Sequence, residues 1–175
     1  PEFADYYISI DYGTLNPFSC GLWAVNGNKA VRIKEYYYDG RANYKQLTDE
    51  EYCDAVESLT GGYEIKRAVI DPSAASFITA LKRRKFRVQQ ADNAVLDGIR
   101  RTAVYLKNGN IKIHRCCTDA IREFGLYRWD DKKTEDAVVK DNDHAMDDIR
   151  YFCNTIMKYK VEKKNKISPA AALLL

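Results

Sequence analysis

Apolar and polar residues alternate with period two at the start of the chain and shift to helical spacing further along. Tyr6 to Asp11 reads as a strand rich in β-branched residues and closed by Gly13. Two more strands follow, Phe18 to Val25 and Ala30 to Tyr38, joined by the hairpin signal Asn26-Gly27-Asn28. Thr48-Asp49-Glu50-Glu51 predicts a capped helix start, with Tyr52, Val56 and Leu59 at helical spacing and Gly61-Gly62 as the stop. Lys66 to Asp71 predicts a fourth strand ended by Pro72, and Ala74 to Arg84 a short helix before a strand through Phe86 and Val88. A helix over Val95 to Leu106, a strand over Ile111 to Ile113 and a helix over Thr118 to Tyr127 complete the middle. Asp130 to Asn142 reads as a polar loop or hairpin, and a last helix is expected from Asp143 to about Tyr159. Three meandering strands followed by alternating helices and strands predict an α/β domain with a central mixed sheet flanked by helices.

Composition narrows the class without naming a chemistry. The chain has 175 residues, 46% hydrophobic and 30% charged, as expected of one globular domain with a real core. No apolar run approaches a membrane span, and no secretory signal is visible. The five cysteines are odd in number and lack zinc-ligand spacing, which favours reduced thiols in a cytosolic protein. A net charge of +3 is mild, so binding of a polyanion would depend on local patches. Pro1-Glu2-Phe3 reads as a cloning remnant and residues 161–175 as a flexible or artificial tail. The working domain is expected over residues 4–160, cut from a longer protein.

Three acidic clusters stand out against this background: Asp11 in YYISIDYG, Asp71 in RAVIDP, and the run DNDHAMDD from Asp141 to Asp148. The first two close apolar strands, and the third opens an amphipathic helix. Carboxylates at strand ends and a helix start converge readily. Convergent oxygen ligands hold hard divalent cations, and paired cations of that kind hydrolyse phosphodiesters. Each has a plainer explanation, since Asp is common in turns and acids complement a helix N-terminus. Neither explanation requires His144 with Asp147 one turn further on. In the last helix Ala145, Met146, Ile149, Phe152, Cys153, Ile156 and Met157 make one apolar stripe, with His144, Asp147, Asp148 and Tyr151 on the other side. The helical wheel alone leaves open which of Asp143, His144, Asp147 and Asp148 faces a metal.

Basic residues gather in Lys82 to Arg87, in Arg100-Arg101 and in the Lys158 to Lys166 tail, each either a phosphate track or a solvated face. The chain has no GxxxxGK[ST] loop, GxGxxG fingerprint, HExxH or GxSxG, which removes the common nucleotide, zinc-protease and serine-hydrolase readings.

The ordered segments ISIDYGT, AVIDPSA, VLDGIRRTAVYLKNGNIKIHRCC, AIREFGLYRWD and KDNDHAMDDIRY resemble the C-terminal nuclease domain of tailed-bacteriophage large terminase subunits. The resemblance spans most of Tyr6 to Tyr159. It implies a ribonuclease H-like fold and a metal-dependent endonuclease that cuts concatemeric double-stranded viral DNA during packaging, in the host cell cytoplasm. Asp11 and Asp71 match the family's first two metal-binding acids, and the third maps to DHAMD. Many relatives place two adjacent acids where this chain has Asp143-His144, so Asp147 with His144 is preferred over Asp143, and Asp148 ranks last. The resemblance further implies two Mg²⁺ or Mn²⁺ ions, with Asp11 bridging both. DNA contacts are expected from Lys132, Lys133, Lys140, Arg100 and Arg101. The implied partners are the terminase ATPase domain, the small subunit and the portal. Rival readings are a junction resolvase, a hybrid-cleaving ribonuclease, a sugar-kinase-like half-domain and a non-catalytic DNA-docking module.

Overall fold

The alternation in the first strands has a direct structural outcome, because a strand buried on both faces must feed two cores. In the computed structural model, which describes residues 4–128 and 141–167 (163–167 by backbone alone), Tyr7 joins one buried cluster while Ile8 and Ile10 join another. The strands are β1 (Asp5–Asp11), β2 (Phe18–Asn26), β3 (Lys29–Tyr38), β4 (Ile65–Ile70), β5 (Val88–Gln90) and β6 (Ile111–Ile113). They form one six-stranded sheet in the order β5-β4-β1-β2-β3-β6. The β1-β2-β3 meander is antiparallel, and the β1–β4, β4–β5 and β3–β6 pairs are parallel. The expected mixed sheet is the one that forms.

Helices cover both faces. On one side α1 (Asp49–Thr60) and α2 (Ala75–Arg83) pack over Ile8, Ile10, Phe18, Leu22 and Ile70. The Thr48–Glu51 capping box starts α1 as its sequence predicts. On the other side lie α3 (Leu96–Lys107), α4 (Thr118–Leu126) and α5 (His144–Phe152), which continues through a π-helical turn (Cys153–Met157) into α6 (Lys158–Ile167). The last helix therefore runs past Tyr159, and the expected tail at 161 begins inside it. Phe152 stacks on Trp23 of β2, ring centroids 4.0 Å apart. Each such fully buried side chain contributes roughly 1.5–3 kcal/mol, so the two apolar clusters supply the drive for folding.

The second face of α5 departs from the amphipathic expectation. Asp148 is fully buried, and Tyr151 is nearly so. The sheet beneath α5 is polar at its centre: Ser9, Ser19 and Arg32 all meet Asp148 there. Gly21 makes room for them, since a Cβ at that position would lie 2.0 Å from an Arg32 guanidinium nitrogen. The five cysteines are free thiols, and no helix among the described residues is long and apolar enough to cross a membrane. Pro1 to Phe3 lie outside the described residues.

Candidate active site

Strand register brings the first two acids side by side. Ile10 pairs with Ile70 across β1 and β4, so Asp11 and Asp71 follow at the same level on neighbouring strands. Parallel neighbours lie roughly 4.8 Å apart. Alternation places both acids on the α5 side, because Tyr7, Ser9 and Val69 already face it. The chain then turns sharply at Gly13, where a Cβ would lie 2.3 Å from the Asn16 carbonyl oxygen. The Asp71 carboxylate accepts from the Ser73 backbone N–H at 2.9 Å and from Asn93 Nδ2 at 2.8 Å. Burial works against its charge, yet those hydrogen bonds and the Arg150 guanidinium hold its pKa below the usual value.

The third group rides on α5, whose N-terminus is fixed by a buried acid from α4. Glu123 accepts the Ala145 and Met146 backbone N–H groups at 2.7 and 3.3 Å, and Tyr37 donates its hydroxyl to the same carboxylate at 2.7 Å. This anchoring sets His144 Nδ1 2.9 Å from Asp11 Oδ2. One turn on, Asp147 pairs with Arg150 at 2.9 Å. Arg150 also donates to the Asn93 and Ala94 carbonyls, at 2.7 and 3.1 Å. Asn154 and Thr155 in the π-helical turn bind the same 92–94 segment. The segment that carries Asn93 to Asp71 is thus pinned by the helix that carries Asp147.

The electrostatics mark Asp11 as the strained member. Burial pushes its pKa up to about 6; the His144 hydrogen bond pulls it down, and the Asp147 and Asp148 charges push it up again. For His144, burial disfavours the imidazolium, but the Asp11 hydrogen bond and the charges of Asp11, Asp143 and Glu123 prevail and raise its pKa. Tyr151 is raised by burial and then by the charges of Asp11, Asp147 and Asp71, so its hydroxyl lies within electrostatic reach of all three.

A cleft of about 390 Å³ opens over this region, lined by Asp11, Asp143, His144 and Asp147 and also by Asp39, Arg41 and Arg122. Asp71 is not among its lining residues. Asp148 points away into the buried pair with Arg32, which answers one question the helical wheel left open. Arg100 lies exposed near Asp97, and Arg101 binds Asn154; neither lines the cleft. Lys132, Lys133 and Lys140 lie outside the described residues. Asn93, Glu123, Arg150 and Tyr151 were not singled out for a site role from sequence. Glu123, Arg150 and Tyr151 fall in segments that carry the family resemblance, whereas Asn93 lies outside them.

Among the described residues, no three His, Cys, Asp or Glu side chains come close enough together to hold a metal ion. Asp71 is turned to Ser73 and Asn93, and Asp147 to Arg150. The donor chemistry nevertheless fits a hard cation. The nearby acids supply carboxylate oxygens, and Asp11 carries a buried charge that its surroundings disfavour. Asp11, Asp71, Asp147 and Asp143, with His144 near Asp11, are the expected ligands that would have to close together to hold one.

The chain is similar to the large terminase of a thermophilic bacteriophage, solved in complex with ADP, with 44% identity, a TM-score of 0.84, and coverage of 87% of this chain and 40% of that one. The chain therefore spans less than half the length of that relative. The P22 large terminase nuclease domain superposes with a TM-score of 0.72 at 17% identity, covering 93% of this chain and 84% of that one. The large terminase nuclease of the thermophilic phage G20c, crystallised with bound cobalt, gives 0.64 at 10% identity over 86% and 81% of the two chains. These neighbours share the ribonuclease H-like fold. No protein-family model matches the sequence, and no curated protein does.

Proposed function

We propose that this chain, which belongs to the family of phage large-terminase nuclease domains, is a divalent-metal-dependent DNA endonuclease that cuts concatemeric viral DNA during packaging. The observation that carries this reading is the convergence of Asp11, His144 and Asp147 on one cleft at the end of β1, with Asp71 on the adjoining strand. The bound-cobalt G20c nuclease is a fold-level precedent for metal in this architecture. Double-stranded DNA is the substrate in this reading. The packaging ATPase domain, small subunit and portal are its partners.

In this site Asp11, Asp71 and Asp147 would hold Mg²⁺ or Mn²⁺, two ions in the family's manner, and His144 would assist them. Bound metal supplies Lewis-acid activation of water and neutralises charge on the phosphate. The chain's own contribution is placement and proton handling. Glu123 fixes the start of α5 and so the approach of His144 to Asp11. His144 engages Asp11 through Nδ1, which leaves Nε2 as the ring atom to take a proton from water or return one to the departing oxygen. Asn93 holds Asp71, and Arg150 holds Asp147. Contacts limited to phosphates position the duplex without reading its sequence, so little base preference is expected.

Substrate choice separates this reading from its rivals. The chain is incubated with Mn²⁺ and, in turn, a DNA duplex, an RNA–DNA hybrid and a four-way junction. Preferential duplex cutting, with calorimetric Mn²⁺ binding weakened in Asp11→Asn, supports the proposal. Cutting confined to hybrid or junction assigns the rival activity, and binding without any cutting assigns the docking module.

A further inference from the structure

The lining of the cleft contains a feature that neither the fold nor the candidate metal-binding acids explain. Residues 39–45, between β3 and α1, form a tightly bonded turn. Asp39 Oδ1 accepts the Arg41 and Ala42 N–H groups at 2.9 and 3.1 Å, Lys45 N–H reaches the Gly40 carbonyl at 3.1 Å, and Tyr38 donates to the Lys45 carbonyl at 2.8 Å. Gly40 lies against the Asp11 loop, because a Cβ there would sit 3.2 Å from the Thr14 carbonyl oxygen. The turn is therefore rigid and fixed to the strand end that carries Asp11.

Two side chains leave this rigid base without a use in the fold. Tyr44 is 98% exposed and adopts a left-handed φ of 51°, a conformation that disfavours a bulky L-residue. Arg41 lines the cleft, and its guanidinium has no protein partner among the described residues. The other arginine in the lining, Arg122, is already engaged by Asp119, Asn142 and the Tyr37 ring. The rest of the lining is acidic, with Asp11, Asp39, Asp141, Asp143 and Asp147. A polyanion entering this cleft needs cationic and hydrogen-bonding groups away from the acids, and Arg and Tyr are both regular phosphate donors. Tyr44 has Asn43 and Lys45 as chain neighbours, so the surface is polar, unlike the apolar patch of a protein-docking site.

We propose that the 39–45 turn is a DNA-backbone contact surface. Arg41 binds a phosphate beside the one presented to Asp11, and Tyr44 braces the adjoining backbone through its ring and hydroxyl. This deepens the nuclease reading and rests on it for the direction in which DNA enters.

Binding of a short fluorescent DNA duplex is measured by anisotropy across a NaCl series in EDTA, so that no cutting is needed for the readout. Arg41→Ala is expected to weaken binding roughly three- to tenfold and to reduce the slope of log Kd against log salt by about one. Tyr44→Ala weakens binding with little change of slope, and Tyr44→Phe loses part of the effect. Tyr44→Gly weakens binding without lowering the thermal midpoint, because glycine accepts the left-handed φ. Arg87→Ala, on the α1–α2 side of the sheet, serves as the control and leaves both quantities unchanged. Wild-type affinity and slope in Arg41→Ala and Tyr44→Ala would overturn the proposal, as would an equal slope change in Arg87→Ala or no duplex binding at all. If the variants behave as expected but the wild-type chain cuts nothing in Mn²⁺, the surface stands and the nuclease reading fails.

Discussion

Substituting Asp148 by Asn tests whether two adjacent aspartates on α5 have separate jobs. Both side chains of the Arg32–Asp148 pair are fully buried. The Asp148 carboxylate accepts from Ser9 at 2.8 Å, from Ser19, and from two Arg32 nitrogens, one at 3.0 Å. Asn keeps the shape but removes the charge and turns one acceptor into a donor that faces other donors. Arg32 is then left with Glu35 at 3.4 Å as its remaining acid. Breaking a buried pair from one side costs about 3–5 kcal/mol, a large share of the roughly 5–15 kcal/mol that stabilises a domain. At this chain length each kcal/mol moves the thermal midpoint about 2–4 °C, so a fall of roughly 6–20 °C is expected. Urea unfolding by tryptophan fluorescence gives the direct measure, with the midpoint lowered and the m-value kept. Asp147→Asn, at the cleft, should lose cleavage and cost less stability than Asp148→Asn, because Arg150 keeps the Asn93 and Ala94 carbonyls as acceptors. A loss below about 1 kcal/mol in Asp148→Asn, or a loss of cleavage with stability intact, would refute the assignment of Asp148 to the frame.

Further outcomes follow from the site's other contacts. In EDTA, Asp11→Asn should be more stable than wild type at neutral pH. The Asp11 pKa rises from 3.8 to about 6 on folding, so the stability tied to its neutral form is present below about pH 4 and lost as pH rises through 6. Two pKa units set the plateau at about 3 kcal/mol, and equal stability of the two proteins at about pH 7 in a thermal melt would contradict it. Glu123→Gln should destabilise by about 1–2 kcal/mol in urea, since it weakens the acceptor for the Ala145 and Met146 N–H groups at the α5 N-terminus; an unchanged midpoint would count against that anchoring. Asn93→Ala should lower kcat roughly 10- to 100-fold by releasing Asp71, with stability changed by less than about 1 kcal/mol. Unaltered turnover would mean that Asn93 does not position Asp71.

Most of the frame was legible because it rests on local signals. The alternation Tyr7-Ile8-Ser9-Ile10-Asp11 fixed a two-faced strand, and Thr48 to Glu51 fixed a helix start. Asp11 and Asp71 were visible because an acid directly after a buried strand needs a reason. What the sequence could not show depends on partners far along the chain. Arg32 sits in KAVRIKEYYY, where no local signal marks it for burial, and only the tertiary fold lays it over Gly21 against Asp148. The helical wheel could not place Asp148 for the same reason, since the polar sheet centre that receives it is built from three separate strands. Asn93 and Arg150 escaped notice because their contacts cross between a loop and a helix. Arg100 and Arg101 were singled out as a charge pair, and neither lines the cleft.

The measurement that bears most directly on the central claim is cleavage of supercoiled plasmid by this chain in Mn²⁺, in Mg²⁺ and in EDTA, with Asp11→Asn and Asp71→Asn alongside. Nicking and linearisation that require metal and disappear in both variants, while each variant keeps its fold by circular dichroism, are the predicted result. Cleavage that persists in both folded variants would contradict a catalytic centre at the ends of β1 and β4.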